Sequence, residues 1–181
     1  MKIDKLWNGL KRIANDYYVL EGDLISEETI EINLDDCFVV NGKIRTKKSI
    51  VVCCGIEAGL GIEAGDGIEA GDGIKAGDGI EAGWGIEAGL GIEGGDGIKA
   101  GCGIKAGDGI EAGEGIKAGE GIEAGDSIEA KTFINASKRI FAGISLYRTS
   151  KDCDKTIRCA ELRNGEICYG DLTIIENGGK R

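Results

Sequence analysis

The chain has 181 residues with 33 glycines, seven cysteines, no proline and no histidine, and a formal net charge of -10. The missing proline, and glycines that recur at alternating intervals of four and two, exclude collagen and polyproline rods. No apolar run approaches membrane-spanning length, and the charged N-terminal stretch has no signal-peptide core. With an odd number of cysteines, this fits a reducing cytoplasm with free thiols.

Residues 1–16 carry Ile3, Leu6, Trp7, Leu10, Ile13 and Ala14 at the spacing of one helical face, with Lys2, Lys5, Lys11 and Arg12 opposite. The spacing predicts an amphipathic helix, read as a cap over the first coil in preference to a membrane-surface helix. Residues 1–30 form this cap and its lead-in.

From residue 55 to 130 one six-residue phrase, Gly-Ile-Glu/Lys-Ala-Gly-X, repeats about a dozen times. A short fixed period is the signature of a solenoid, whose repeats bury apolar surface only by stacking. Stepping by six from Ile56 reaches Ile50, Ile44, Phe38 and Ile32 in one direction and Ile134, Ile140 and Leu146 in the other. The solenoid is therefore assigned to residues 31–146. Residues alternate faces along a strand. Ile and Ala point inward, the residue between them points out, and Gly-X-Gly makes a corner that needs permissive torsions. The expected fold is all-β, a single-stranded β-helix of triangular section with about three hexads per coil.

Residues 147–181 follow as a C-terminal cap or interaction module. Strand-like runs flank Arg163-Asn164-Gly165, and Asn-Gly between such runs predicts a β-hairpin.

The Ile-x-Ala pattern with recurring glycine, as in Ser127-Ile128-Glu129-Ala130 and Phe133-Ile134-Asn135-Ala136, resembles the bactofilins. That resemblance covers residues 32–146 and implies a cytoskeletal β-helix that polymerises end to end. The hexad also looks like that of hexapeptide acyltransferases. Their small residue precedes the aliphatic one by two, whereas here Ala follows it by two, and the histidine base such enzymes use is absent. Pentapeptide-repeat proteins offer a resemblance of design only: they are regular β-helices, some with acidic surfaces that imitate DNA, and their motif is missing here.

The chemistry is that of a surface. Identical outward carboxylates at every repeat make a solvated face, not the distinct constellation an active site requires, so no enzyme activity is expected. One Asp per corner does not supply the six to eight oxygens calcium takes. Cys153, Cys159 and Cys168 lack the paired spacing of zinc sites. No cofactor or metal is expected.

Residues 55–130 hold 17 Asp/Glu against four Lys, a net of -13, while the flanks carry a net of +3. That sign opposes direct binding to nucleic acid or anionic membrane. At about 4.8 Å per coil, the repeat carries one negative charge per about 1.6 Å, close to the value of about 1.7 Å for duplex DNA. The reading is a non-enzymatic binding protein that mimics DNA and occupies the basic nucleic-acid-binding surface of a protein partner, as anti-CRISPR or anti-restriction inhibitors of phages do. Its binding residues are Glu57, Glu63, Glu69, Glu81, Glu87, Asp66, Asp72 and Asp78, with Trp84, Leu60 and Leu90 as anchors where corners depart from Asp. The alternative is a bactofilin-like structural polymer, and a homodimer is left open.

Overall fold

A computed structural model describes residues 1–7, 10–13, 17–144 and 154–176. Every regular element among them is a strand. In chain order these are β1 (Lys2–Ile3), β2 (Lys11–Ile13), β3 (Tyr17–Leu20), β4 (Leu24–Ser26), β5 (Ile30–Ile32), β6 (Cys37–Val40), β7 (Ile44–Thr46) and β8 (Ile50–Val52). Strands β9 to β21 then follow one per hexad, from Ile56–Ala58 to Ile128–Ala130. The chain closes with β22 (Phe133–Ala142), β23 (Thr156–Cys159), β24 (Glu161–Tyr169) and β25 (Asp171–Ile174). The fold is a β-solenoid.

Through the regular centre each strand pairs in parallel with the strand 18 residues away. Ile62 stands on Ile80, Ile68 on Ile86 and Ile74 on Ile92. The strands therefore stack in three columns. The first runs from β4 through β7, Ile62–Ala64 and Ile80–Ala82 to the start of β22. The second runs from β1 and β5 through β8 and Ile68–Ala70 to the end of β22. The third runs from β3 and β6 through β9 and β21 to β23 and β25. In nearly every strand from β5 to β21 the first and third residues are buried and the middle one faces out, so Ile fills the axis and Ala lies beside it. A hexad with a single isoleucine has too little apolar surface to order itself. Its burial comes from the coil above and the coil below.

The first coil is longer. Tyr18, Leu24 and Ile30 stand under Phe38, Ile44 and Ile50, each 20 residues on. Stepping back by six therefore misassigns Ile32: it lies beneath Val52 in the alanine position, and Ile30 takes the isoleucine position. The two extra residues fall between β5 and β6, in the stretch that holds Asp35 and Asp36.

That stretch ties down the N-terminus, which is not a helix. β1 adds to the outer edge of β5, with Ile3 buried against Ile32, Glu31 N donating to Met1 O (2.8 Å) and Asn33 N to Ile3 O (2.9 Å). β2 runs antiparallel along β3. Lys5 Nζ reaches Asp35 Oδ2 at 2.6 Å, Tyr18 Oη donates to Asp35 Oδ1 at 3.0 Å, and Arg12 pairs with Asp36 at 2.8 Å. An open sheet edge offers ladder hydrogen bonds that an isolated helix cannot match. The helical periodicity is overruled by tertiary context. Leu6, assigned to the apolar face, is 91% exposed, whereas Trp7 and Leu10 pack against the core.

The C-terminal hairpin is also overturned. Asn164 and Gly165 lie inside β24, which pairs in parallel with β22 through irregular register. Gly165 has φ +120°, and a Cβ there would stand 2.7 Å from Ile140 Cδ1. Asn-Gly bends the chain from the first column to the second, because β22 templates a further coil in parallel. β23 stacks on β21 and β25 on β23. The solenoid thus continues past the point where the hexad stops. Leu146 and Cys153 lie outside the described residues.

The corner glycines answer to a different need from the one the sequence suggests. Among the described glycines positive φ occurs at Gly22, Gly143, Gly165 and Gly170, none of them in the perfect repeat. What selects glycine is the approach of stacked backbones. A Cβ at Gly83 would stand 1.9 Å from Gly65 O, whereas at Gly85 the nearest atom is Gly103 O at 3.4 Å. At this corner the first glycine is required by space and the second is not; in other corners the second is crowded too, with Gly79 and Gly121 each 2.9 Å from a backbone oxygen.

Candidate binding surface

The middle residue of each strand forms a ladder up its column, and the residue between the two corner glycines forms a ladder up each edge. The first column presents Arg45, Glu63, Glu81, Lys99 and Lys117. The second presents Glu69, Glu87, Lys105 and Glu123. The third presents Glu57, Lys75, Glu93, Glu111 and Glu129.

Backbone hydrogen bonds fix the edges. Asp78 N donates to Leu60 O, Asp96 N to Asp78 O and Glu114 N to Asp96 O, so these four stack between the third and first columns. Asp66, Trp84, Cys102 and Glu120 stack in the same way between the first and second, and Asp72, Leu90, Asp108 and Asp126 between the second and third.

This arrangement sorts the charge. Within residues 55–130 the first column sums to zero, the second to -2 and the edge between them to -2. The third column and its two bounding edges hold the remaining -9, with Lys75 their single base. Lysines stand where they relieve stacked carboxylates: Lys99 pairs with Glu81, Lys105 approaches Glu87 at 3.7 Å, and Lys75 meets Glu93 at 3.0 Å. The Glu93 carboxylate, hydrogen-bonded to Lys75, holds that ammonium above its ordinary range. All three pairs are half exposed, where solvent screens an ion pair and leaves it little net stability. Their main effect is on the pattern of charge.

The residues singled out from the sequence are not gathered into one patch. Glu57, Asp72 and Asp78 lie on the acidic side. Glu63 and Glu81 lie on the first column, Glu69 and Glu87 on the second, and Asp66 on the edge between those two. Leu60, Trp84 and Leu90 occupy three different edges. Leu60 and Leu90 bound the acidic column on either side and are both exposed, whereas Trp84, 65% exposed, stands on the edge away from it. Glu93, Glu111, Asp96 and Glu114 belong to the acidic side and had not been singled out. The signal for them is the position of each residue in an 18-residue count, which becomes visible once the stacking register is known.

Three shallow strips run along these columns. One, about 550 Å³, follows the first column past Arg45, Glu63, Glu81, Lys99 and Lys117. A larger one, about 1010 Å³, follows the second column past Val51, Glu69, Trp84, Lys105 and Phe141. Another, about 620 Å³, follows the third past Glu57, Leu90, Glu93, Glu111 and Glu129. Size favours the strip on the second column and charge the one on the third. For a surface without enclosed walls, charge is the better guide to a partner, because long-range potential steers encounter while an open trough excludes little water.

The remaining polar groups are structural. Thr46 is buried, its Oγ1 donating to Glu28 O (2.7 Å) and accepting from Lys48 N (3.1 Å). Cys37, Cys54 and Cys159 are free thiols whose burial raises their pKa, which keeps them protonated and unreactive. Among the described residues no group of three or more acidic or cysteine side chains converges as a metal site.

Comparison with protein-family models, with curated proteins and with solved structures found no match to this chain.

Proposed function

We propose that this protein is a non-enzymatic binding module. Its third column, with the two edges beside it, occupies the basic nucleic-acid-binding surface of a partner protein in the bacterial cytoplasm, in the manner of an anti-CRISPR or anti-restriction inhibitor. In this reading the coil is a triangular prism of three hexads, one side of which is acidic. The observation that carries it is the segregation of charge: -9 of the net -13 lies on the third column and its edges, and the first column is neutral. From Glu57 to Glu129 the acidic side crosses five strands, about 19 Å at 4.8 Å each. Its charge is one per about 2.1 Å, near the linear density of duplex DNA and concentrated on a single side. Leu60 and Leu90 flank that side and serve as its apolar anchors.

The test is a pull-down from bacterial lysate with the wild type and two double variants of equal total charge. Glu57→Lys/Glu111→Lys alters the third column, and Glu63→Lys/Glu81→Lys alters the first. The third-column variant should lose nucleic-acid-handling proteins, the first-column variant should keep them, and added duplex DNA should displace them. Equal capture by both variants, or no displacement by DNA, refutes the reading.

A bactofilin-like polymer is the second reading, favoured by a final coil that no further strand covers among the described residues. It requires two open ends, and β2 closes the third column at the N-terminal end. Long filaments in negative stain would support it.

A further inference from the structure

The two ends of the solenoid differ in whether their core is closed. At the N-terminal end the innermost apolar residues, Ile3, Tyr18, Leu24 and Ile30, are all buried. At the C-terminal end the core positions are open. Leu172 continues the stack of Ile128 and Ile157, and Ile174 stands on Cys159. Every residue beneath them in these stacks is buried, yet Leu172 is 41% exposed and Ile174 53%. Leu162 on Ile134 and Ile167 on Ile140 are likewise half-buried over fully buried partners. The backbone is open as well. Asp171 N and Ile175 N donate inward to Lys155 O and Cys159 O. Successive residues of a strand turn their N–H to opposite sides, so those of Leu172 and Ile174 point outward from β25, the last strand of its column.

We infer that this open end binds the same end of a second copy, forming a two-fold, tail-to-tail dimer in which the final coils pair edge to edge and close one continuous core. Three observations select that occupant. What is exposed is a cross-section of the solenoid's own interior bounded by its own strand edges, and a coil of the same section covers all of it at once. The sides of the rod carry a net of -13 and repel one another, whereas residues 154–176 carry only -2, partly offset within the coil by Lys155–Asp171 and Arg163–Glu161. The N-terminal end offers no open core and ends its third column in an antiparallel strand, so head-to-tail stacking is disfavoured. A two-fold axis across the rod sets the facing strands antiparallel, a pairing that satisfies edge N–H and C=O groups on both copies.

The test is sedimentation equilibrium of the full chain up to about 100 µM, a concentration that reaches the weak end of small interfaces. The expected species has twice the 18.9 kDa chain mass. Ile174→Lys, which places a charge at the open core, and Ile174→Pro, which removes an outward donor without taking a ladder bond, should each return it to monomer while the β-sheet circular dichroism is kept. Amide exchange on the wild type supplies a measurement independent of any variant: protection at Leu172 and Ile174 should rise with protein concentration. A monomer at all concentrations, a dimer that both folded variants retain, an open-ended polymer, or concentration-independent exchange at those two amides overturns the inference.

Discussion

The two glycines of the corner at Trp84 look equivalent in sequence and should behave oppositely when substituted. At Gly83 an added methyl would stand 1.9 Å from Gly65 O and 2.9 Å from Gly65 C. Ordinary contact requires at least 3.0 Å, so the two coils must separate locally by about 1.1 Å or more, with backbone, not a flexible side chain, as the obstacle. That separation stretches Gly83 N to Ala64 O (3.0 Å) and Trp84 N to Asp66 O (3.1 Å) beyond hydrogen-bonding range. Two ladder bonds at about 1 kcal/mol each, with overpacking strain of about 1–3 kcal/mol, put the cost of Gly83→Ala at roughly 3–5 kcal/mol. At Gly85 the nearest atom is 3.4 Å away and φ is not left-handed. Gly85→Ala should be neutral or stabilise by about 0.4–1 kcal/mol, by restricting the unfolded chain. Lys131 supports this reasoning: it is the first residue to replace glycine in the required position above the regular coils, and its ladder bond to Ala112 O is lengthened to 3.3 Å. Urea denaturation followed by circular dichroism compares the two variants at equal slope. Similar midpoints for Gly83→Ala and Gly85→Ala would refute the argument that packing of stacked backbones, not torsion, selects the glycine.

Asp35 makes the N-terminal closure sensitive to acid. Hydrogen bonds from Lys5 and Tyr18 hold its carboxyl at about 2, below the ordinary 3.8. A depressed carboxyl contributes stability above the unfolded value and loses it as pH falls through the folded one, so the window runs from about 4 down to about 2. Asp35→Asn should therefore lower the melting temperature at pH 7 and converge with the wild type near pH 2, and a difference that persists undiminished at pH 2 would show that the carboxylate is not the source. Trp84 should emit as a solvated indole and be freely quenched by acrylamide, and Trp84→Ala should change stability by less than about 0.5 kcal/mol, as surface positions do. Because its edge lies away from the acidic column, the same substitution should leave partner capture unchanged. Loss of capture would relocate the binding side.

The solenoid is legible in the sequence because one rule is written a dozen times: Ile and Ala two apart, a polar residue between them, two glycines at the turn. Its ends are legible only in part, because each has chemistry that mimics something else. The apolar spacing of Ile3, Trp7 and Leu10 suits a helix, but the unpaired edge of β5 captures the backbone first. Asn164-Gly165 has hairpin composition, but β22 already presents a template for a parallel coil. The same competition moves the hexad frame at Ile30 and Ile32, where two extra residues give the cap its two aspartates.

The distribution of charge shows why composition alone does not locate the acidic side. A net of -13 over residues 55–130 is a property of the string; it becomes a surface only when residues 18 apart are brought together. Lys99 and Lys117 are separated by one such interval and fall on the same column, which they neutralise. Lys75 and Lys105 are not, and each relieves a different side. Had the four lysines fallen elsewhere in the hexads, composition and core would be unchanged, and the neutral side would have been lost. The constancy of Ile and Ala thus fixes the rod, whereas the choice between Glu and Lys at the solvated position, which the core does not constrain, decides how charge is distributed around it.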